Sequence, residues 1–475
     1  MKTPLKTRRI TLGVIACLLG LPTLVCAASP PMPKDMPKYG ADKPLPVPEI
    51  AKKTLDNGLV VWVLPRSGGN PKIDLVLAVR GGKAADPADR PGMSDLLASL
   101  LVEGTPSRSS ARIAEDLQAL GASLAANAGN DGITVKASGL SSGAEPLTLL
   151  LADAARNANF PVGEIELAKG NALQALKAAE AEPDYQAARA LDEVVYGDHP
   201  YARTRPTEAS IGATDRAGLV AAHKARFRPD RALLVIGGRV DAERGFALAQ
   251  KAFGDWKGVG EATPDVPAAL LDRPIQRVFI ERAGSVQSAV RLGRPAFAAG
   301  NGDEIASAIA NSVLGGDFSS RLSQVLREEK GYTYGAYSGF GTNRAGGGFS
   351  AEADVRNEVT GDAVGEFRKQ MQMLVDAPID ATELSRAKRA TAGAYLFRNQ
   401  LQGAVVSSLA NGWLLGRPSG YLGEFVGRTD KVTAAEVHAI ARKYFDPAKL
   451  SIVVVGDKSI SAQLEPFGEF SPKVK

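Results

Sequence analysis

Cysteine is almost missing from this chain: of 475 residues only Cys17 and Cys26 are thiols, and both fall in the first 26. If that stretch is removed in the mature protein, no disulfide can form and thiol catalysis is excluded. Histidine is scarce too, with His199, His223 and His438 far apart, no H-x-x-x-H pair and no histidine–cysteine group. Surface or helix-end packing is the plain reading of each. A surplus of charge is also lacking. The formal net charge of +5 falls to +1 without the four cations Lys2, Lys6, Arg8 and Arg9, so no nucleic-acid partner is expected. Beyond residue 26 no apolar run is long enough to span a bilayer.

The first residues supply what the rest lacks. Four cations precede an apolar run from Ile10 to Cys26 that closes on Val25-Cys26-Ala27, a small-residue cleavage pattern. This predicts a cleavable signal peptide over 1–27 and a periplasmic or otherwise exported protein. Gly13, Gly20 and Pro22 interrupt the run and argue against an uncleaved anchor. "VIAC" at 14–17 resembles an acylation box, but "LLGLPTLV" after Cys17 is too apolar for a mature lipoprotein start, and Arg8-Arg9 hints at twin-arginine export. A proline-rich arm follows over 28–49, extended or polyproline-like.

From there on the chain reads as a duplication. "FRPDRALLVIGG" (227–238) and "FDPAKLSIVVVGD" (445–457) each pass from a helix end through Phe-x-Pro into a buried strand stopping at glycine. Pro229 to Gly238 and Pro447 to Gly456 share a spacing of nine. "EGTPSRSSARIAEDLQALGASL" (103–124) and "GGDFSSRLSQVLREEKGYTY" (315–334) match likewise: glycine, a serine cap, a short amphipathic helix, a glycine stop, a strand. Two copies of a unit of about 210 residues follow. They are expected at 50–257 and 274–468, joined by an aperiodic Gly/Pro linker at 258–273. Strands and helices come in groups rather than strict alternation. The fold class is therefore α+β: two homologous domains, each a mainly antiparallel sheet with helices on one face.

The stretch "GMSDLLASLLVEGT" (92–105) places Met93, Leu96, Leu97, Leu100 and Leu101 on one helical stripe and Asp95, Ala98 and Ser99 opposite. This segment resembles the zinc helix of the pitrilysin/insulinase metallopeptidases, G-L-x-H-x-x-E-H-x-x-F-x-G-T. The likeness continues through "YGDHPY", "FRPDRALLVIGG", "GGDFSSRLSQVLREEKGYTY" and "FDPAKLSIVVVGD", covering nearly all of the mature chain. The resemblance implies a half-clamshell of two such domains, and it implies that the metal site is degenerate. Asp95 stands for the first zinc histidine, Ala98 for the glutamate base and Ser99 for the second histidine. Ala175 stands for the third ligand. Ala98 cannot take a proton, and Asp95 with Glu103 would make only a loose oxygen pair. No metal is expected on this chain.

A second family feature is kept. Arg327 and Tyr334, seven apart in "LREEKGYTYGAYS", match the arginine and tyrosine that the family sets opposite its zinc site. A fixed cation and a phenol donor can hold a substrate carbonyl and the oxyanion formed from it. The plain alternatives are a cation at a helix C-terminus and a strand aromatic. Tyr332, expected on the same side of that strand as Tyr334, is a secondary candidate. "NRAGGGFSAEADV" (343–355) reads as a hairpin or bulge, and "VLGGDFSSRL" (313–322) as either a chamber wall or a turn before a capped helix.

The resemblance thus implies the zinc-free subunit of an exported heterodimeric metallopeptidase. A partner of the same family would bring H-x-x-E-H and the zinc; an unstructured peptide would be the substrate. The alternative is a scaffold or peptide-binding protein of the same fold with no part in hydrolysis. An enzyme of unrelated chemistry finds no nucleophile, base and orienting group in the sequence.

Overall fold

Strands of alternating burial set the architecture. In Lys72–Arg80 the side chains of Leu75, Leu77 and Val79 enter one apolar cluster, while Val76 and Ala78 enter another on the opposite face. That is the two-residue period of a sheet covered on both sides. The computed structural model describes residues 46–474 except 48, 67 and 69. The expected signal peptide, both cysteines and the arm up to residue 45 lie outside the described residues.

The first sheet has six strands, in the order Ala51–Thr54, Val60–Pro65, Ala232–Gly238, Lys72–Arg80, Gly132–Leu140, Ser123–Ala128. The second has five, in the order Ala336–Asn343, Gly346–Arg356, Gln287–Ala296, Ser451–Gly456, Arg277–Glu281. All pairings are antiparallel except one in each sheet. Val60–Pro65 runs parallel to Ala232–Gly238, and Arg277–Glu281 runs parallel to Ser451–Gly456. The two Phe-x-Pro strands therefore hold equivalent places, and the internal repeat read in the sequence is a repeat of topology. Between the sheets, residues 257–276 form neither helix nor strand.

Each sheet packs helices of its own half on one face. In the first half the Met93–Leu100 and Ala144–Asn157 helices put Leu97, Leu100, Leu147 and Leu151 against Leu75, Leu77 and Ile236. The other face is covered reciprocally. The Gln402–Leu414 helix, from the second half of the chain, lays Val406, Leu409, Ala410 and Leu414 on Trp62, Val76, Leu233 and Val235. Conversely Pro183–Tyr196, from the first half, lays Leu191, Val194 and Val195 on Ala289, Val453 and Val455 of the second sheet. Glycine admits both helices. A Cβ on Gly237 would lie 2.4 Å from Val406 Cγ2, and one on Gly293 would lie 2.9 Å from Leu191 Cδ1. Each buried Leu or Val contributes about 1.5–3 kcal/mol, so the exchange ties the halves into one body.

A polar clasp joins the two hairpins. The Gly132–Leu140 hairpin turns at Asn130-Asp131, and Asp131 accepts from the Tyr201 hydroxyl at 2.5 Å and from the Arg344 amide at 2.9 Å. Asn130 donates to Asn343 at 2.9 Å, so the turn of one half meets the turn of the other. "NRAGGGF" is thus a tight hairpin, with Asn343 paired to Gly346. Among the described residues no helix is long and apolar enough to cross a membrane.

Candidate functional site

The Met93–Leu100 helix begins at Gly92, whose φ of 85° lies in the left-handed region. A Cβ there would lie 2.6 Å from Pro206 Cβ, so glycine fits both the backbone and the space. Beneath the helix start lies an ion pair shielded from water. Arg226 donates to Asp86 at 2.8 Å, and the side chains are 2% and 1% exposed. Asp86 also accepts from the Ser94 amide at 3.0 Å and its hydroxyl at 2.6 Å, capping the helix. Arg226 reaches Ser94 Oγ at 3.1 Å and the Ala85 carbonyl at 3.0 Å. The helix that would carry metal ligands is rigidly anchored.

Its ligand positions do not fit a metal. Asp95 is ion-paired to Lys83 at 2.9 Å, so an ammonium stands beside the carboxylate where an ion would bind. Burial raises the Asp95 pKa, and Lys83 partly offsets that. Ala98, expected on the face opposite the apolar stripe, is 2% exposed and belongs to the core cluster, because the stripe is wide enough to include it. Ser99 is exposed and its hydroxyl donates back to the Leu96 carbonyl at 2.9 Å. Ala175 is exposed on the Val162–Glu180 helix, which packs against the first. Glu103 accepts from Ser110 at 2.6 Å and forms no pair with Asp95. Among the described residues no group of three His, Cys, Asp or Glu could hold a metal.

Each histidine is engaged by the backbone. The Nε2 atoms of His199, His223 and His438 lie 2.8 Å from the carbonyls of Pro267, Ala155 and Val375. His199 Nδ1 also accepts from the Tyr201 amide at 3.2 Å, which makes Nε2 its donor. Burial lowers the pKa of His223.

Arg327 sits in a π-helical turn, Ser323–Glu329, which buries Leu326 and leaves the guanidinium partly exposed. Such turns are frequent at functional sites. The guanidinium lies 4.7 Å over the ring of Phe318, itself 58% exposed, and 3.3 Å from the neighbouring Glu328. Residues 315–320 form the turn within 313–322, and the helical turn Ser323–Glu329 after it has no side-chain cap where a serine was expected. Asp317 accepts from the Ser319 amide and hydroxyl and from Ser312, whereas in the first copy Ser109 does cap its helix.

Tyr334 is not on the strand, as the alternation suggested. The strand begins at Ala336, and Tyr334 is the tip of a turn closed by Thr333, whose hydroxyl both donates to the Gly335 carbonyl and accepts from its amide. The turn thrusts Tyr334 out to 90% exposure, without a hydrogen-bond partner among the described residues. Tyr332 does not share its direction. It packs on the core and its hydroxyl points to Asp362 at 3.5 Å. No hydrogen bond, ion pair or ring contact among the described residues joins Arg327 to Tyr334, or either one to the Asp95 helix. The sequence reading missed Lys83, the Asp86–Arg226 pair and Phe318. Only "GGKAADPADRPG" before the helix, rich in both charges, carried a signal for the first two.

The profile described as Insulinase (peptidase family M16) matches residues 62–207, and that described as peptidase M16 inactive domain matches 215–391. The chain belongs to the insulinase family of metallopeptidases, as a member whose own zinc positions are degenerate. An uncharacterized zinc protease of Mycobacterium leprae is 26% identical, over 74% of this chain and 80% of that protein. The non-peptidase homologue YmxG of Helicobacter pylori is 21% identical, over 80% and 88%. The crystal structure of a peptidase M16 inactive domain from Pseudomonas fluorescens shares the fold, with a TM-score of 0.80 and 24% identity over 86% of this chain and 98% of that one.

Proposed function

We propose that this chain is the zinc-free subunit of an exported heterodimeric metallopeptidase. A partner of the same family brings the H-x-x-E-H helix and the zinc ion; this chain brings Arg327 and Tyr334. The observation that carries the reading is Tyr334, a phenol 90% exposed on a braced turn with no hydrogen-bond partner among the described residues. An exposed aromatic on a braced turn fits a group that meets its target across an interface. Arg327, braced over Phe318, supplies the cation. Together they donate to the carbonyl oxygen of the scissile peptide and hold the negative charge that develops there.

The substrate is an unstructured peptide. Ala336–Asn343 is an edge strand that begins two residues after Tyr334, so a peptide added to that edge would run past the phenol. The test is reconstitution. This chain and a family member carrying H-x-x-E-H are assayed alone and mixed, with a quenched peptide, with and without chelator. Chelator-sensitive activity found only in the mixture agrees with the proposal; equal activity of the partner alone contradicts it. The second reading is a scaffold with no part in hydrolysis. It is favoured by the Helicobacter relative described as a non-peptidase homologue, and it predicts a mixture indifferent to Arg327 and Tyr334.

A further inference from the structure

Three guanidiniums meet where the two halves of the chain touch. Arg80 ends the Lys72–Arg80 strand, Arg231 closes the short turn before Ala232–Gly238, and Arg344 lies in the hairpin turn after Ala336–Asn343. With Asp265 of the connection at 257–276 and Asp131 of the first hairpin, they line one cleft beside the polar clasp. Arg327 and Tyr334 are not among its walls.

Two carboxylates do not serve all three cations. Asp265 accepts from Arg231 at 2.6 Å, and Asp131 is engaged by the Tyr201 hydroxyl and the Arg344 backbone amide. For its side chain Arg344 has only the Leu414 carbonyl, at 3.4 Å. Arg80 has no hydrogen bond or ion pair among the described residues and lies 4.5 Å over the ring of Trp413. Its Nε is buried, whereas its terminal nitrogens keep access to the cleft. Burial lowers the Arg80 pKa, and the largest charge effect on it comes from Arg344, which lowers it further; Asp265 offsets part of this and Arg231 adds to it. Two half-buried like charges on one cleft repel each other, and an anion shared by both replaces that repulsion with attraction.

Size and geometry select the anion. The cleft holds about 20 Å³, room for about one or two oxygen-sized atoms, so a nucleotide is too large to enter. Asp265, with a side chain 54% exposed, marks its open side, where the remaining oxygens of a small ion stay in water. A planar carboxylate offers two oxygens in one plane and matches one guanidinium fork, whereas a tetrahedral oxyanion offers oxygens in several directions and can serve two forks. We infer that this cleft binds a small inorganic oxyanion of the phosphate or sulfate type, its oxygens accepting from the Arg80 and Arg344 guanidiniums and so joining the two halves. The site needs no partner subunit and stands or falls apart from the subunit reading.

The test is calorimetric titration of the isolated chain with inorganic phosphate at fixed ionic strength in a buffer free of other oxyanions, together with thermal melts. Phosphate is expected to bind with a Kd of about 1 mM or lower and to raise the melting temperature, because it binds only the folded chain; chloride at equal ionic strength should not. Acetate should bind about tenfold more weakly or worse, since it serves one guanidinium instead of two. Glycerol 3-phosphate, bulkier at one oxygen, should also bind more weakly than the free ion. Arg80→Gln and Arg344→Gln should each weaken phosphate about tenfold or more and remove its effect on the melting temperature. Each variant is compared with its own phosphate-free melt, so one of lower starting stability still reports. Arg398→Gln, which removes an exposed cation elsewhere, should change neither readout. No binding of phosphate at about tenfold above that Kd, an equal effect of chloride, acetate or the ester as tight as phosphate, or an unaltered Kd in either arginine variant would each overturn the inference.

Discussion

Lys83 makes the degenerate site a place already held by a cation, and this can be tested by trying to rebuild the metal site. The substitutions Asp95→His, Ser99→His and Ala175→Glu restore the family's ligand types at three positions. They also remove the carboxylate that ties the Lys83 ammonium, now 2.9 Å from Asp95 Oδ1. Zinc bound about 2 Å from the place that Asp95 Oδ1 now holds would lie about 5 Å from that ammonium. Repulsion between a single and a double charge at about 5 Å is about 7 kcal/mol at an effective dielectric of about 20, and about 2 kcal/mol in water-like surroundings. The Lys83 side chain is 25% exposed and can swing aside, so the lower figure applies. The triple variant with Lys83→Ala added should bind zinc about thirtyfold more tightly than the triple variant alone. Competition against a chromophoric chelator measures both constants, and thermal melts verify folding. Equal affinities with and without Lys83 would refute the reasoning.

Other consequences follow from the same structure. Arg226→Met leaves the Asp86 carboxylate, 1% exposed, without its cation and should cost about 3–5 kcal/mol in urea denaturation, with Arg226→Met/Asp86→Leu costing less. A milder double loss fits a pair whose burial is itself costly; a double loss equal to the sum does not. His223 has its folded pKa depressed by burial, so the stability tied to its neutral form is fully present above about pH 6.5 and is lost as pH falls through the folded value. The melting temperature should drop on that acid side, and His223→Gln should flatten the drop; an unchanged slope would exclude this histidine as the cause. Gly92→Ala, at φ 85° and against Pro206, should cost at least about 1–2 kcal/mol by the same denaturation assay.

Much of the fold was legible because its signals are local. The Met93–Leu100 helix follows from its apolar spacing, and the strands after Phe227 and Phe445 follow from a proline start, a run of buried branched residues and a glycine stop. The reciprocal helices were not legible. Pro183–Tyr196 and Gln402–Leu414 each show an apolar face, but nothing local says that this face belongs on the other half's sheet. Tyr334 misled for a related reason. Its alternation with Tyr332 suggests a strand, but the Thr333 side chain ties a turn to Gly335 and sends the two rings to different environments. Ala98 reads as a lost base in the sequence and as a core residue in the structure; both follow from a small side chain on a wide apolar face. The positions of the zinc-helix resemblance could be read one by one, because Asp95, Ala98 and Ser99 share a short segment. The cation at Asp95 could not, since Lys83 reaches it from a separate short helix twelve positions earlier.

The central claim is a division of labour between two chains, and the turnover number of the reconstituted pair tests it most directly. With Arg327→Ala or Tyr334→Phe in this chain, kcat should fall about 10²–10³-fold while zinc content, subunit association and melting temperature stay the same. A pair that keeps full kcat after both substitutions would contradict the claim and leave this chain as a scaffold.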